Sequence, residues 1–257
     1  MMSGMHALWS VGCFAGAGLF SILAKLGLGI SQIAIIHCII IFMIIFAFSR
    51  YFLPYKGASN GKAIAIPKGI VTLFGVLAVI SFLGEGGMMD WSGVFLTEAK
   101  GVDLSLAGVG YAVFSAAMLI GRLIGDKVVQ KLGEQRVVIF GGIVASVGYI
   151  ISIVFDNFFM MQFGFILLGF GAANIVPVVF TLLGRQKEMP INSAVTAVTS
   201  MGYLGVMFGP ALLGFIAHGI GIVAVFCILA GLFILQAIVS SYVFKVLKLN
   251  MIIINLV

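Results

Sequence analysis

The lysines and arginines are confined to gaps between long apolar stretches, and they gather in alternate gaps. Twelve of the fourteen fall in four alternate gaps, while the other gaps hold only Lys25 and Lys100. Basic residues in short loops stay on the cytoplasmic side of a membrane. The pattern therefore predicts a multi-pass membrane protein with both termini in the cytoplasm. The twelve are Arg50, Lys56, Lys62, Lys68, Arg122, Lys127, Lys131, Arg136, Arg185, Lys187, Lys245 and Lys248.

Composition points to a chain surrounded by lipid. Of the 257 residues, 62% are hydrophobic and 9% are charged, and a soluble domain of this length needs more polar surface than that. The net charge of +6 is divided among loops, so it forms no single basic face for nucleic acid. The three cysteines lie in apolar stretches without the spacing of metal ligands. We therefore predict no disulfide framework, no metal site and no cofactor.

Each apolar stretch is long enough to cross a bilayer as a helix. About twenty residues, at 1.5 Å per residue, span a hydrocarbon core about 30 Å thick, and none of the stretches has the alternation of a barrel strand. The predicted fold is all-α and polytopic, with about eight transmembrane helices. The predicted spans are residues 7–26, 30–50, 69–97, 104–125, 137–155, 158–184, 193–217 and 221–244.

The longest gap divides the chain into two parts. It runs from Pro54 to Pro67, and its polar, glycine-containing sequence between two prolines is typical of a linker. The short apolar tail is predicted to be too short to cross the membrane. The predicted parts are residues 1–53 (two helices), 54–67 (cytoplasmic linker), 68–250 (six helices) and 251–257 (tail).

Two carboxylates interrupt the third span, and they are candidates for contact with a proton or a solute. Counted from Lys68 on the cytoplasmic side, Glu85 lies roughly 25 Å along the helix and Asp90 about 33 Å, which predicts Glu85 in the outer half and Asp90 near the outer interface. A charged side chain within the membrane costs at least about 2.5 kcal/mol and usually faces a cavity. The alternative is a structural Glu85 satisfied by backbone amides or by Lys100. Trp91 either stacks on a ligand or anchors the helix at the interface.

Prolines are expected to bend two of the spans. Pro177 removes a hydrogen bond from the sixth span and leaves the carbonyl of Ala173 without its helical partner. Asn174, beside that carbonyl, is therefore expected to face protein or water rather than lipid. Gly209 and Pro210 are expected to bend the seventh span in the same way.

His37 lies inside the second predicted span. Histidine changes its charge near neutral pH, so His37 is a candidate for the proton pathway. A hydrogen-bonded packing role is the alternative interpretation. No two histidines have the spacing of metal ligands.

The fourth predicted span ends in a charged, glycine-containing segment. Arg122 and Asp126 are four residues apart, so they share a helix face and can pair. Gly121 and Gly125 lie beside them and allow a neighbouring helix to come close. Because an ion pair at a tight crossing can favour one of two conformations, we predict a gate at the cytoplasmic end. An ordinary charged loop is the alternative.

This segment resembles the loop signature of the major facilitator superfamily, and two later stretches are similar to the tenth and eleventh helices of its bacterial proton-linked sugar permeases. One departure is Gln130, where the family often has an acidic residue. The residues that carry the resemblance are Gly121, Arg122, Gly125, Asp126, Gly133 and Arg136 in the loop, then Gly169–Phe180 and Gly202–Gly214.

The resemblance implies a fold and a function. The first two spans are similar to family helices five and six and the last six to its C-terminal half, so the family's first four helices are expected to be missing. It implies secondary active transport of a small sugar-like or drug-like solute across the bacterial inner membrane, by alternating access and with protons. Glu85 would exchange protons, Asn174 and Asp90 would touch solute, and Arg122 with Asp126 would close the inner face.

The alternatives to active transport are a truncated remnant, a membrane-embedded enzyme and a passive channel. A truncated membrane remnant of such a protein, which inserts but carries nothing, is the alternative. An enzyme is not expected, because the sequence shows no clustered histidine, aspartate or cysteine near one interface.

Overall fold

The computed structural model describes residues 26–51 and 65–254, together with single positions between 8 and 23. These residues belong to two compact units, one that takes in residues 62–257 and one formed by residues 8–61. Most of the first predicted span, the linker up to residue 64 and the last three residues lie outside the described part.

The smaller unit contains one well-defined long helix. Helix α1 runs from Ile30 to Phe48 and continues as a 3-10 turn to Tyr51. Its apolar side chains are largely exposed, as expected of a helix that lies against lipid or against another helix.

The larger unit is a bundle of α-helices joined by short connections. Short turns separate most helices, and a π-helical turn, Phe95–Ala99, extends the first of them. Among the described residues there is no strand, which confirms the predicted all-α fold. The helices are α2 (Ile70–Val94), α3 (Val109–Leu132), α4 (Glu134–Val154), α5 (Phe158–Ala172), α6 (Ile175–Leu183), α7 (Ile191–Ile220) and α8 (Ile222–Ile254).

Six helical stretches of the described residues are long and apolar enough to cross a membrane. They match the second, third, fifth, sixth, seventh and eighth predicted spans, whereas the helix at the fourth predicted span, α3, is not among the six. Helix α3 ends at Leu132 instead of residue 125, and its last turns carry charged residues. The sixth span is two helices, α5 and α6, interrupted at Ala173 and Asn174.

The bundle is held together by an apolar core with a ladder of aromatic rings. Helix α4 packs between α5 and α8, while α2 packs against α7 and α8. The rings of Phe95 and Phe226 stack with centroids 4.0 Å apart, and Tyr149 meets Phe226 edge-on at 5.4 Å. Large apolar side chains such as Phe159 and Phe215 point outward, which suits a bundle surrounded by hydrocarbon.

Polar side chains fasten the helix ends at both ends of the bundle. Lys100 donates hydrogen bonds to the carbonyl of Ile153 and to Asp156, both 2.7 Å away. These contacts fix the C-terminal end of α4 to the turn after α2.

At the opposite end, the connection between α6 and α7 supplies the contacts. Arg185 makes a two-pronged ion pair with Glu134, at 2.7 Å for each bond. Glu188 accepts a hydrogen bond from the amide of Ile70 at 2.9 Å, and a carboxylate at that position suits the positive end of the α2 dipole.

Candidate solute and proton site

An ion pair between Glu85 on α2 and Arg122 on α3 lies inside the bundle. The Nη2 atom of Arg122 is 3.1 Å from Oε2 and 3.2 Å from Oε1 of Glu85. The Arg122 side chain is 5% exposed and that of Glu85 is 20% exposed. The cation is thus enclosed by protein, while the carboxylate is partly exposed.

This pairing corrects two expectations. Glu85 was expected in the outer half of the membrane and Arg122 at the inner interface, but a 3.1 Å contact puts them at one level. Arg122 lies ten residues before the end of α3, hence about 15 Å inside the bundle. Lys100, considered as a structural partner of Glu85, pairs with Asp156 instead.

The same guanidinium reaches the interruption between α5 and α6. Its Nε donates to the carbonyl of Ala173 at 3.4 Å. Pro177 is the third residue of α6, where its missing N–H has no helical partner to lose, so the helix restarts before the proline. The carbonyl of Ala173 was expected to lose its helical partner, and Arg122 contacts it.

Asn174 lies in the interruption and is turned toward α3. Its Nδ2 donates to the carbonyl of Gly121 at 3.0 Å, and the residue is 6% exposed. Its Oδ1 is buried without a hydrogen-bond partner. The expectation that Asn174 faces protein or water is confirmed for this conformation, in which it faces protein.

Gly121 allows α3 to approach the interruption. A Cβ at this position would lie 2.7 Å from the Cβ of Ala173, closer than two carbon atoms can pack. The bond from Asn174 and the contact from Arg122 to Ala173 both depend on that close approach. The small side chain at residue 121 is therefore part of the site's geometry.

Tyr149 on α4 is a site residue that the sequence analysis missed. It is fully buried, and its hydroxyl donates to the carbonyl of Gly84 at 3.0 Å. That carbonyl belongs to the peptide group that carries Glu85. Helix α2 is continuous from Ile70 to Val94 through this position.

Asp90 and Trp91 lie one to two turns beyond Glu85 on α2. Asp90 is exposed. Trp91 is partly buried, its ring would meet a side chain at Gly214 on α7 at 3.1 Å, and its Nε1 donor is buried without a partner. Trp91 thus packs against α7. Among the described residues, no contact links Asp90 to the ion pair.

His37 belongs to the smaller unit. Its Nδ1 lies 2.9 Å from the carbonyl of Ile33 and its Nε2 lies 3.1 Å from the carbonyl of Gly16. A neutral imidazole donates through one nitrogen only, so it satisfies one of these carbonyls at a time. The contacts fit the packing interpretation that was left open for this residue.

Of the predicted cytoplasmic gate residues, Gly133 and Arg136 lie at the turn from α3 to α4, whereas Gly121 and Arg122 lie inside the bundle. Asp126 lies one turn after Arg122 and is partly buried. Gly133 joins α3 to α4 with φ of 83°, a conformation that favours glycine. Arg136 is exposed in the first turn of α4. The sequence analysis missed the ion pair of Arg185 with Glu134 beside this turn.

Gly209 and Pro210 lie within α7, which continues through the proline from Ile191 to Ile220. Gly209 is buried, and a Cβ there would meet Leu83 of α2 at 2.6 Å. The pair therefore marks a close contact between α7 and α2, two residues from Glu85.

The site combines an ion pair with hydrogen-bonding groups. In the part of the chain that the structure describes, no group of three or more histidine, cysteine, aspartate or glutamate residues is arranged to hold a metal ion. The polar groups of the site are one carboxylate, one guanidinium, one amide whose oxygen has no hydrogen-bond partner, and the backbone carbonyl of Ala173 at the interruption.

The sequence matches a known family and several curated proteins. The model of the Major Facilitator Superfamily matches residues 74–250. An uncharacterized MFS-type transporter from Yersinia pestis is 43% identical over 221 residues, which cover 85% of this chain and 57% of the relative. An uncharacterized transporter, y4wD, from Sinorhizobium fredii is 29% identical and is covered to 59%. The chain thus spans about half the length of these relatives.

The fold also has a counterpart among solved structures. The crystal structure of the human organic anion transporter MFSD10 aligns with a TM-score of 0.58 and 18% identity, over 68% of this chain and 42% of that protein. At that identity the likeness concerns the fold alone.

Proposed function

Because the chain belongs to the Major Facilitator Superfamily, we propose that it moves a small solute across the bacterial inner membrane by alternating access, with protons as the coupling ion. The family places the chain among multi-pass membrane proteins. Its relatives are named as transporters, so the prediction that it is no enzyme is confirmed.

The proposal assigns each part of the chain to one half of a transporter of this family. Residues 68–250 are the six-helix C-terminal half, residues 1–53 are two helices of the N-terminal half, and residues 54–67 are the cytoplasmic linker. Rocking of two helix groups would expose a midplane site to one side at a time. Both termini then lie in the cytoplasm, as the distribution of basic residues indicates.

The observation that carries the proposal is the ion pair of Glu85 with Arg122 inside the bundle. An enclosed cation needs a counter-charge, and removing one partner of a buried pair is strongly destabilising. When Glu85 takes up a proton, Arg122 loses the counter-charge of that carboxylate. Protonation therefore changes the preferred arrangement of α2 and α3, which is what coupling a proton to a conformational change requires.

Solute contact is assigned to the polar groups near the pair. Asn174 has an unused buried acceptor and Trp91 an unused buried donor, and Asp90 is exposed beside Trp91. Neutral donors and acceptors next to an aromatic ring suit a sugar-like or drug-like solute. His37 would serve the proton pathway from the N-terminal helices.

Gating is assigned to the cytoplasmic segment. Arg122 and Asp126 share a helix face, and Gly121 and Gly125 line the crossing. Movement at this crossing, together with the interruption before Pro177 and the close contact at Gly209, would close the inner face. Gly133 and Arg136 complete the turn to α4.

Proton flux in liposomes tests the proposal. The full chain is reconstituted with a pH-sensitive dye inside, and members of a panel of sugars and drug-like amphiphiles are added outside in turn. The proposal predicts that at least one compound moves protons and that Glu85→Gln abolishes this movement. Asp156→Asn, which removes an exposed carboxylate from the outer end, serves as the matched control and should leave it intact.

The outcomes separate the alternatives. Proton movement that is unchanged in Glu85→Gln contradicts the role given to Glu85. Solute movement without protons contradicts coupling. A correctly folded chain that moves and binds no compound of the panel supports the non-transporting remnant.

A further inference from the structure

Three residues on one face of α2 combine an aromatic ring, an open space and a carboxylate. Phe82, Gly86 and Asp90 follow one another at intervals of four residues, so they lie on one stripe of the helix. Successive members are about 6 Å apart along the axis, and Phe82 and Asp90 are about 12 Å apart. The stripe therefore runs from a ring, across a glycine, to a charge.

The aromatic end of this stripe is a pair of rings. The ring of Phe82 stacks with that of Tyr203 on α7, with centroids 6.1 Å apart and an angle of 29° between the ring planes. Phe82 is partly buried, whereas Tyr203 is exposed. Stacked rings of which one is exposed offer an aromatic face to a flat molecule.

Gly86 leaves an open space next to the rings. Among the described residues, a Cβ atom at this position would meet nothing within 4 Å. On the packed side of α2, a Cβ at Gly84 would lie 2.5 Å from Phe233, and one at Gly87 would lie 2.7 Å from Leu229. Helix packing thus explains Gly84 and Gly87 but not Gly86. Because glycine inside a helix costs about 0.5–1 kcal/mol relative to alanine, the open space calls for a different explanation.

Asp90 supplies an unpaired charge at the other end of the stripe. It is exposed, and within the described part of the chain it makes neither a hydrogen bond nor an ion pair. Helices α2 and α7 contain no lysine and no arginine, and Glu85, the other acidic residue of α2, is paired with Arg122. A carboxylate in this setting attracts a cation and repels an anion.

We propose that Phe82, Gly86, Asp90 and Tyr203 form a binding site for an aromatic organic cation. The ring system of the ligand lies over Gly86 against the two stacked rings, and its ammonium group faces the carboxylate of Asp90. As a statement about a transported solute, the inference rests on the proposed function, and it narrows the solute to one class. A sugar needs several polar partners, of which the stripe offers one, and an organic anion would face an unpaired negative charge.

Equilibrium dialysis with matched compounds tests the proposal. The full chain in phosphatidylcholine nanodiscs is titrated with naphthylethylamine, its neutral analogue naphthylethanol, the anion naphthylacetate, and hexylamine, which has the charge without the ring. Empty nanodiscs give the background. We expect naphthylethylamine to bind at least about tenfold more tightly than the other compounds, because it alone makes both contacts and a hydrogen bond to a charged group is worth about that factor.

Substitutions separate the charge from the space. Asp90→Asn should abolish the preference for naphthylethylamine over naphthylethanol and leave the affinity for the alcohol unchanged. Asp156→Asn, which removes another exposed carboxylate, is the matched control and should keep the preference. Gly86→Leu fills the open space and should abolish binding of both compounds. Gly231→Leu on α8, at a second position where a Cβ meets nothing within 4 Å, should bind them as the wild type does.

The contribution of the rings is measured at Tyr203. Tyr203→Leu should weaken the binding of naphthylethylamine several-fold, since base-like stacking on one ring is lost. Tyr203→Phe keeps the ring and should bind as the wild type does. The affinity for hexylamine, which has no ring to stack, should be the same in both variants.

Three results would overturn the inference. They are equal affinities of the wild type for the amine, the alcohol and the anion, a preference for the amine that survives in Asp90→Asn, and binding that Gly86→Leu does not change. Failure of the proposed function gives a different result. Asp90-dependent binding of the amine without proton movement in liposomes supports this site and removes coupled transport. Glu85-dependent proton movement driven only by neutral or anionic compounds supports transport and removes this site.

Discussion

The hydroxyl of Tyr149 donates to the carbonyl of Gly84 at 3.0 Å, so α4 holds the peptide group from which Glu85 extends toward Arg122. The tyrosine ring is fully buried against Phe226 and Phe233, and its position is fixed by packing. Three helices therefore contribute to the placement of one carboxylate.

Replacing Tyr149 by phenylalanine should loosen Glu85 while preserving the core. The ring contacts stay, and the loss of one buried hydrogen bond costs about 1 kcal/mol. We expect a small fall in the melting temperature and a several-fold rise in the labelling of Glu85 by a hydrophobic carbodiimide, measured by mass spectrometry. Ser146→Ala removes a similar bond from α4 to the carbonyl of Ala230 and should leave the labelling unchanged. Equal labelling in the two variants would contradict the positioning role.

Removing one partner of the ion pair should destabilise more than removing both. Arg122→Met removes the cation that pairs with Glu85, and Glu85→Gln removes the carboxylate that pairs with the enclosed Arg122. The loss expected for a buried pair is about 3–5 kcal/mol. The double variant should be more stable than Arg122→Met, since it leaves neither charge alone. Thermal unfolding of the four proteins in one detergent gives the interaction energy, and a value near zero would mean that the pair contributes nothing to stability.

Gly121→Ala should damage the site by separating two helices. The added Cβ would lie 2.7 Å from the Cβ of Ala173, and overpacking of this kind costs about 1–3 kcal/mol. The matched control is Gly231→Ala in α8, where a Cβ meets nothing within 4 Å. We expect a lower melting temperature for the first variant and no fall for the second. Similar melting temperatures would show that α3 has room to move there.

In the ion pair of Lys100 with Asp156, the lysine should matter more than its acidic partner. Lys100 is 8% exposed and also holds the carbonyl of Ile153, whereas Asp156 is 88% exposed. Exposed ion pairs contribute about 0–1 kcal/mol, so Asp156→Asn should have little effect. Lys100→Met leaves the α4 carbonyl without its donor and should lower the melting temperature clearly. The opposite order would contradict this assignment.

The helices were predictable because a bilayer imposes their length. The span predicted for residues 158–184 is observed as residues 158–183, and Pro177 correctly indicated a disturbance near Ala173. The separation of a two-helix part from a six-helix part by a linker at residues 54–67 remains a prediction, since most of that segment lies outside the described residues.

The Glu85–Arg122 pair was not predicted, and the reason is physical. The fourth span was ended at residue 125, where charges begin, but α3 continues to Leu132. The helix thus extends seven residues beyond the predicted span, and the contact with Glu85 places Arg122 inside the bundle instead of at the expected interface. A sequence alone also does not say that α2 and α3 are neighbours at that depth. Tyr149 carried no signal, because a buried tyrosine in an apolar stretch looks like any aromatic core residue.

The most direct test of the account is infrared difference spectroscopy of Glu85 during solute addition. The reconstituted full chain is exposed to a compound that moves protons in the liposome assay, and the carboxylic acid C=O band is recorded. We predict that adding the solute changes the intensity of the C=O band of a protonated carboxyl group, and that this change is absent from the difference spectrum of Glu85→Gln. Proton-coupled solute movement with no change in any band that depends on Glu85 would contradict it.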